Sequence, residues 1–182
     1  MLRIIKTLSV MAAAALLAAA CTVGGDSEAD YQSALLAEGT PAPDFVIRTD
    51  SCPDGFTLSS LQGSWVMLEF WASWCPDCQR ATPTLKNIHD KYAPSGLVCV
   101  GISLDNDENQ WREYISDNGM DWIHHRETAD WNNSAVASAY NVRWLPTLYL
   151  ITPDGKISFA TIYPDDMYEW LGTYFSSRIS LP

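Results

Sequence analysis

Residues 65–78 read Trp-Val-Met-Leu-Glu-Phe-Trp-Ala-Ser-Trp-Cys-Pro-Asp-Cys, and their reading decides the fold. Trp65 to Trp71 is a continuous apolar run broken by one carboxylate, Glu69, which is the pattern of a strand buried in the middle of a sheet. Cys75-Pro76-Asp77-Cys78 follows almost at once, and a helical pattern then runs to about Tyr92. The cysteine pair therefore stands at a strand-to-helix junction. At a helix N-terminus, unpaired backbone N–H groups and the helix dipole favour a thiolate. A thiolate is the species that attacks a disulfide, which makes Cys75 the nucleophile. Cys78, one turn further on, is placed to resolve the mixed disulfide, and Pro76 in the first turn costs no helical hydrogen bond. Zinc is the rival reading of such a pair, but it wants four ligands. The sequence has no second Cys-x-x-Cys, and His89, His124 and His125 are too scattered to complete a site, so no metal is expected.

Outward from this core the elements alternate. On the N-terminal side, Phe45–Arg48 and Phe56–Leu58 predict a hairpin around the turn formers of residues 50–55. On the C-terminal side, Leu97–Leu104 is a second buried strand and Asn109–Asn118 a helix that Gly119 stops, with Trp111, Tyr114 and Ile115 on one face. Trp122–His125 predicts a short strand and Ser134–Tyr140 a short helix. Thr147–Ile151 and Ile157–Ile162 form a hairpin about Pro153-Asp154-Gly155-Lys156, and Asp165–Ser177 a closing helix. The expected class is α/β, with parallel strands at the core and an antiparallel hairpin at one edge. The acidic run Asp105-Asn106-Asp107-Glu108 reads as a solvated loop capping the next helix. Cys99 reads as a small core residue and Cys52 as an accessible turn cysteine; a bridge between them requires Cα atoms within about 7 Å.

The 182 residues suit one domain with a proper core, and 8 Trp, 8 Tyr and 5 Phe exclude disorder along the whole length. A net charge of −11 speaks against a nucleic-acid binder. Residues 1–20 read as a signal peptide: Arg3 and Lys6 precede an apolar run from Leu8 to Ala20, too short for a comfortable span. Cys21 follows three alanines, as in bacterial lipoprotein signals, and is the predicted lipidation site. Without the signal the chain holds 9 basic and 22 acidic residues, so attachment to a membrane is expected to come from the lipid. Residues 21–39 read as a tether, with a short helix within residues 27–38, and residues 40–182 as the folded domain. The expected location is the cell envelope or periplasm, outside the cytoplasm.

Phe70-Trp71-Ala72-Ser73-Trp74-Cys75-Pro76-Asp77-Cys78 resembles the active-site stretch of the thioredoxin superfamily. With Ala42-Pro43-Asp44-Phe45 and Leu145-Pro146-Thr147, it resembles the TlpA/ResA-type branch of membrane-tethered thiol-disulfide oxidoreductases over about residues 40–175. The resemblance implies a thioredoxin fold, a central mixed sheet flanked by helices, with an N-terminal β-hairpin and an inserted helix. It implies that Cys75 attacks and Cys78 resolves, that the redox-active disulfide is the only cofactor, and that electrons return from a membrane donor. Pro146 matches the family's cis-proline, which turns the backbone of Leu145 towards a substrate strand. Trp74 matches the exposed tryptophan beside the nucleophile, a substrate contact. Glu69 stands where thioredoxins proper carry a buried Asp; a carboxylate in an apolar strand holds its proton tightly, which suits proton exchange with Cys78. The ResA-like glutamate three residues after the second cysteine is replaced here by Ala81. Tyr163 falls where relatives often have glycine and is expected to narrow the groove.

The function expected is reduction of protein disulfides, and Asp77 beside the pair favours a reducing couple. Two other readings compete. A peroxiredoxin-like peroxidase needs Thr or Ser three residues before its nucleophile and Pro seven before, where this chain has Ala72 and Leu68. The other is a thioredoxin-like binding module, holding copper or a client protein without turnover. Copper chaperones of this fold usually add a histidine facing the cysteines, and none of His89, His124 and His125 is obviously so placed.

Overall fold

A computed structural model of the protein describes residues 27–179; the signal segment and Cys21 lie outside the described residues. Strands β1 (Val46–Thr49) and β2 (Cys52–Thr57) form the hairpin, and β3 (Trp65–Trp71) leads into α2 (Pro76–Tyr92), with α1 (Glu28–Ser33) preceding them all. Then come β4 (Leu97–Ser103), α3 (Glu108–Asn118), β5 (Ile123–Arg126), α4 (Ala135–Ala139), β6 (Thr147–Ile151), β7 (Ile157–Thr161) and α5 (Pro164–Ile179). The main sheet has the order β5-β4-β3-β6-β7. Strands β3, β4 and β5 run parallel; β6 lies antiparallel to β3, and β7 antiparallel to β6.

The apolar run of β3 is explained by its place. It is the middle strand, buried on both faces from Val66 to Trp71. Leu68 and Phe70 join one core cluster with Val100, Ile102 and Tyr149; Met67 joins the other with Leu85 and Ile88 of α2 and Met167 and Leu171 of α5. Helix α2 begins where predicted because Pro76 fits its first turn and the Cys75 sulfur accepts the Cys78 N–H at 3.2 Å. Helix α3 is closed by Gly119 in the left-handed region, φ 55°, where a side chain would be strained. This is the thioredoxin arrangement with a hairpin before it and helix α3 inserted between β4 and β5.

Three local expectations are corrected. The hairpin turn is tighter than the turn-rich sequence implies: residues 53–55 lie in β2, and Cys52 is a half-buried strand residue rather than a turn cysteine. Helix α1 ends at Ser33, short of Gly39. The acidic run is not uniformly solvated. Asp107 caps α3 by accepting from Asn109 and Gln110 N–H groups, whereas Asp105 is 1% exposed. Cys52 and Cys99 are unbonded, and Cys99 is buried in β4 as expected.

The hairpin is fastened to the β5 edge by His125. Its Nδ1 accepts the Arg48 N–H at 3.1 Å, so Nε2 carries the proton and donates to Glu127 Oε1 at 3.0 Å. His124, the neighbouring residue, is buried with Nε2 3.1 Å from the Met120 carbonyl, and burial pushes its pKa down to about 4. Among the described residues no three His, Cys, Asp or Glu gather as a metal set, and no helix is long and apolar enough to cross a membrane.

Candidate active site

The end of β3, the start of α2 and the loop before β6 meet at one end of the central strands. Cys75 is the N-cap of α2, and its sulfur accepts from the Cys78 thiol at 2.6 Å and from the Cys78 backbone N–H. These two donors, the side-chain one first, bring the Cys75 pKa down to about 7, with the Arg80 guanidinium assisting and burial and Asp105 opposing. Cys78 is 1% exposed, and desolvation pushes its thiol far up. The asymmetry assigns the roles: the outer sulfur ionises near neutrality, while the inner one holds its proton and serves as donor.

Leu145 and Pro146 are joined by a cis peptide bond, and the Leu145 carbonyl oxygen lies 3.6 Å from Cys75 Sγ. The backbone of Leu145 is thus presented beside the Cys75 sulfur. Trp74 is 49% exposed and stands beside the cysteine. Trp71 belongs to the core, 1% exposed, with its ring 5.6 Å from Tyr114 and 6.0 Å from His124.

Glu69 is 2% exposed, paired in register with Gly101 on one side and Leu148 on the other. Its Oε2 is buried without a hydrogen-bond partner among the described residues. Desolvation first, and the Cys75 charge second, raise its pKa to about 8. A carboxyl in that state can take up and return a proton near neutral pH. Its charge in turn helps hold the Cys78 thiol protonated.

Sequence reasoning missed Asp105. It follows β4 and reaches across to the loop that leads into Cys75. The Ser73 N–H donates to both its oxygens at 3.0 and 3.1 Å, the Ser73 hydroxyl to Oδ1 at 2.6 Å, and the Ser103 hydroxyl to Oδ2 at 2.7 Å. Gln79 Nε2 donates to the Ser73 carbonyl at 2.7 Å, so Ser73 is held from both sides. The only local signal was Ser103, two residues earlier; the partner that matters, Ser73, is remote in sequence.

A groove of about 250 Å³ leads away from Pro146, between α2 and the start of α5. Trp144 and Pro146 line it, and Tyr163, 40% exposed, stands on its rim.

A family model described as Thioredoxin-like matches residues 63–157. The chain is 32% identical over 123 residues to the thiol-disulfide oxidoreductase ResA of Oceanobacillus iheyensis, covering 65% of this chain and 62% of that protein. It is 30% identical over 122 residues to ResA of Bacillus subtilis, covering 67% and 65%. The matched stretch is therefore just under two thirds of the length of these relatives. Among solved structures, the thioredoxin domain of a thiol-disulfide oxidoreductase from Bacteroides vulgatus superposes with a TM-score of 0.68 at 25% identity, covering 76% of this chain and 98% of that one. A putative thiol:disulfide interchange protein DsbE from Chlorobium tepidum gives 0.67 at 25% identity, covering 78% and 97%. The family match spans more than half of the chain and contains both cysteines, and the chain belongs to the thioredoxin-like family.

Proposed function

We propose that the protein is an extracytoplasmic, membrane-tethered thiol-disulfide oxidoreductase that reduces protein disulfides through a Cys75–Cys78 dithiol/disulfide cycle. The observation that carries this is the pairing of an N-capping sulfur of lowered pKa with a buried thiol of raised pKa, beside the Leu145 carbonyl. The Cys75 thiolate attacks one sulfur of the substrate disulfide, forming a mixed disulfide and releasing the other sulfur as a thiolate. Glu69 takes the Cys78 proton. The Cys78 thiolate then attacks Cys75 Sγ, closing the Cys75–Cys78 bond and releasing the second substrate thiolate. Two electrons have passed to the substrate, and a membrane dithiol donor returns two. Trp74, Leu145 and Pro146 contact the substrate segment, and no cofactor beyond the cysteine pair takes part. A lipid on Cys21 supplies the tether, as the signal-like residues 1–20 suggest.

The deciding experiment equilibrates the couple against glutathione or dithiothreitol. A potential near about −270 mV, that of thioredoxin, supports the reductase, and one near about −120 mV, that of DsbA, makes the protein an oxidant. A pair that does not cycle at all sinks the enzyme reading. Cys78→Ser should accumulate the mixed disulfide with an oxidised protein substrate, visible on a non-reducing gel, whereas Cys75→Ser should form none.

A further inference from the structure

The N-terminal segment is not merely a leash at the domain's entrance. Ser27 and Asp30 form a capping box that starts α1, and three separate contacts then fix the helix beside the groove. The Gln32 amide donates to the Ala160 carbonyl at 3.0 Å and its oxygen accepts the Ile162 N–H at 2.9 Å. The Tyr31 ring stacks on Trp144, centroids 5.1 Å apart and planes 24° apart. The Tyr163 hydroxyl donates to Glu28 Oε2 at 3.0 Å. Trp144 and Tyr163 both line the groove that opens at Pro146, so α1 closes it on the outside and sets the Glu28 carboxylate into its lining.

The groove's charges are unbalanced. Glu28, Asp77 and Asp165 line it against one cation, Arg80, which is already paired with Asp77. Among the described residues Glu28 and Asp165 have hydroxyl partners, Tyr163 and Thr84, and no salt bridge. A hydroxyl donor orients a carboxylate without neutralising it. The same lining carries Trp144 and Pro146, and a lysine or arginine laid here covers these rings with its methylenes and brings its charge to the carboxylates.

We infer that helix α1 is the outer wall of the substrate groove, and that with Glu28 and Asp165 it makes the protein prefer disulfides flanked by lysine or arginine. The inference rests on the oxidoreductase reading above and names the substrate class of that site.

The test uses the full chain in a non-ionic detergent and two disulfide peptides of equal length, one with lysines and one with glutamates beside the cystine. The readout is the ratio of their kcat/KM values. Because both rates come from the same protein, the ratio is indifferent to how much of a variant is folded. The lysine peptide should be reduced about tenfold faster at low ionic strength, with the ratio falling towards one in about 1 M salt. Glu28→Lys should shrink the low-salt ratio at least about threefold, with Glu28→Gln between, and Tyr31→Ala, which unpins α1, should shrink it as well. A wild-type ratio of one, or a ratio untouched by Glu28→Lys, overturns the inference while leaving the oxidoreductase intact. Failure of the wild type to reduce either peptide or neutral hydroxyethyl disulfide overturns the oxidoreductase reading, and this inference with it.

Discussion

Two carboxylates flank the cysteine pair from inside the domain, Glu69 in β3 and Asp105 after β4, and they are buried to the same depth, 2% and 1% exposed. Their wiring is opposite. Asp105 accepts from three donors, the Ser73 N–H and the Ser73 and Ser103 hydroxyls, and so ties β4 to the loop that presents Cys75. Glu69 has one oxygen with no partner among the described residues, and its pKa is raised to about 8. A buried acid supplied with donors is a structural clamp. One denied them is left free to exchange a proton. Depth of burial does not separate the two; the count of donors does.

The sharpest way to break that contrast is to remove the clamp. Asp105→Ala leaves the Ser73 N–H and two hydroxyls buried without their acceptor. It should cost about 3–5 kcal/mol in urea unfolding and loosen the Cys75 loop enough to slow disulfide reduction. Next in size is the pH dependence set by Glu69. Its folded pKa of about 8 lies above the ordinary 4.5, so the folded state holds the proton that the unfolded state has lost. The stabilisation is complete below about pH 4.5 and is lost as pH rises through about 8, with a ceiling on the order of 5 kcal/mol. Glu69→Gln should flatten that slope in denaturant titrations run from pH 5 to 9 and slow closure of the Cys75–Cys78 bond. A variant as pH-dependent as the wild type would remove Glu69 from its role.

The smallest effect is electrostatic. Alkylation of Cys75 by iodoacetamide should rise with pH about a midpoint near 7, the value its partners set. Asp105 opposes the thiolate, so Asp105→Asn should lower the midpoint. A midpoint that rises instead would mean that the substitution acts by displacing the loop.

The contrast also explains what was readable in the sequence. Glu69 was legible because a lone carboxylate inside Trp-Val-Met-Leu-Glu-Phe-Trp has no polar context to join, and the buried run fixes its surroundings locally. Asp105 was not. It sits in an Asp-Asn-Asp-Glu run that looks like a solvated cap, which Asp107 is, and its burial depends on Ser73 in another element. The same limit applies elsewhere. Pro53-Asp54-Gly55 carries turn chemistry, yet pairing with β1 draws it into a strand, with Phe56 opposite Ile47. Helix α1 is held by Ala160, Ile162 and Trp144, residues more than a hundred positions away, so nothing in its own sequence marks it as a wall of the groove.

The stretch that follows α1 has a consequence for solubility. Strand β7 ends the sheet, and an open edge of unpaired backbone is a template on which another chain can add. Here that edge is occupied. The Gly39 N–H donates to the Ile157 carbonyl at 2.8 Å, the Ile157 N–H to the Thr40 carbonyl at 2.8 Å, and the Ala42 N–H to the Gly155 carbonyl at 2.9 Å, while the Gln32 side chain serves Ala160 and Ile162 further along. A chain trimmed to begin at residue 43 would keep both cysteines, the sheet and the helices after it, and would expose a bare strand. Such a protein should self-associate edge to edge; residues 32–42 are what keep the sheet at five strands.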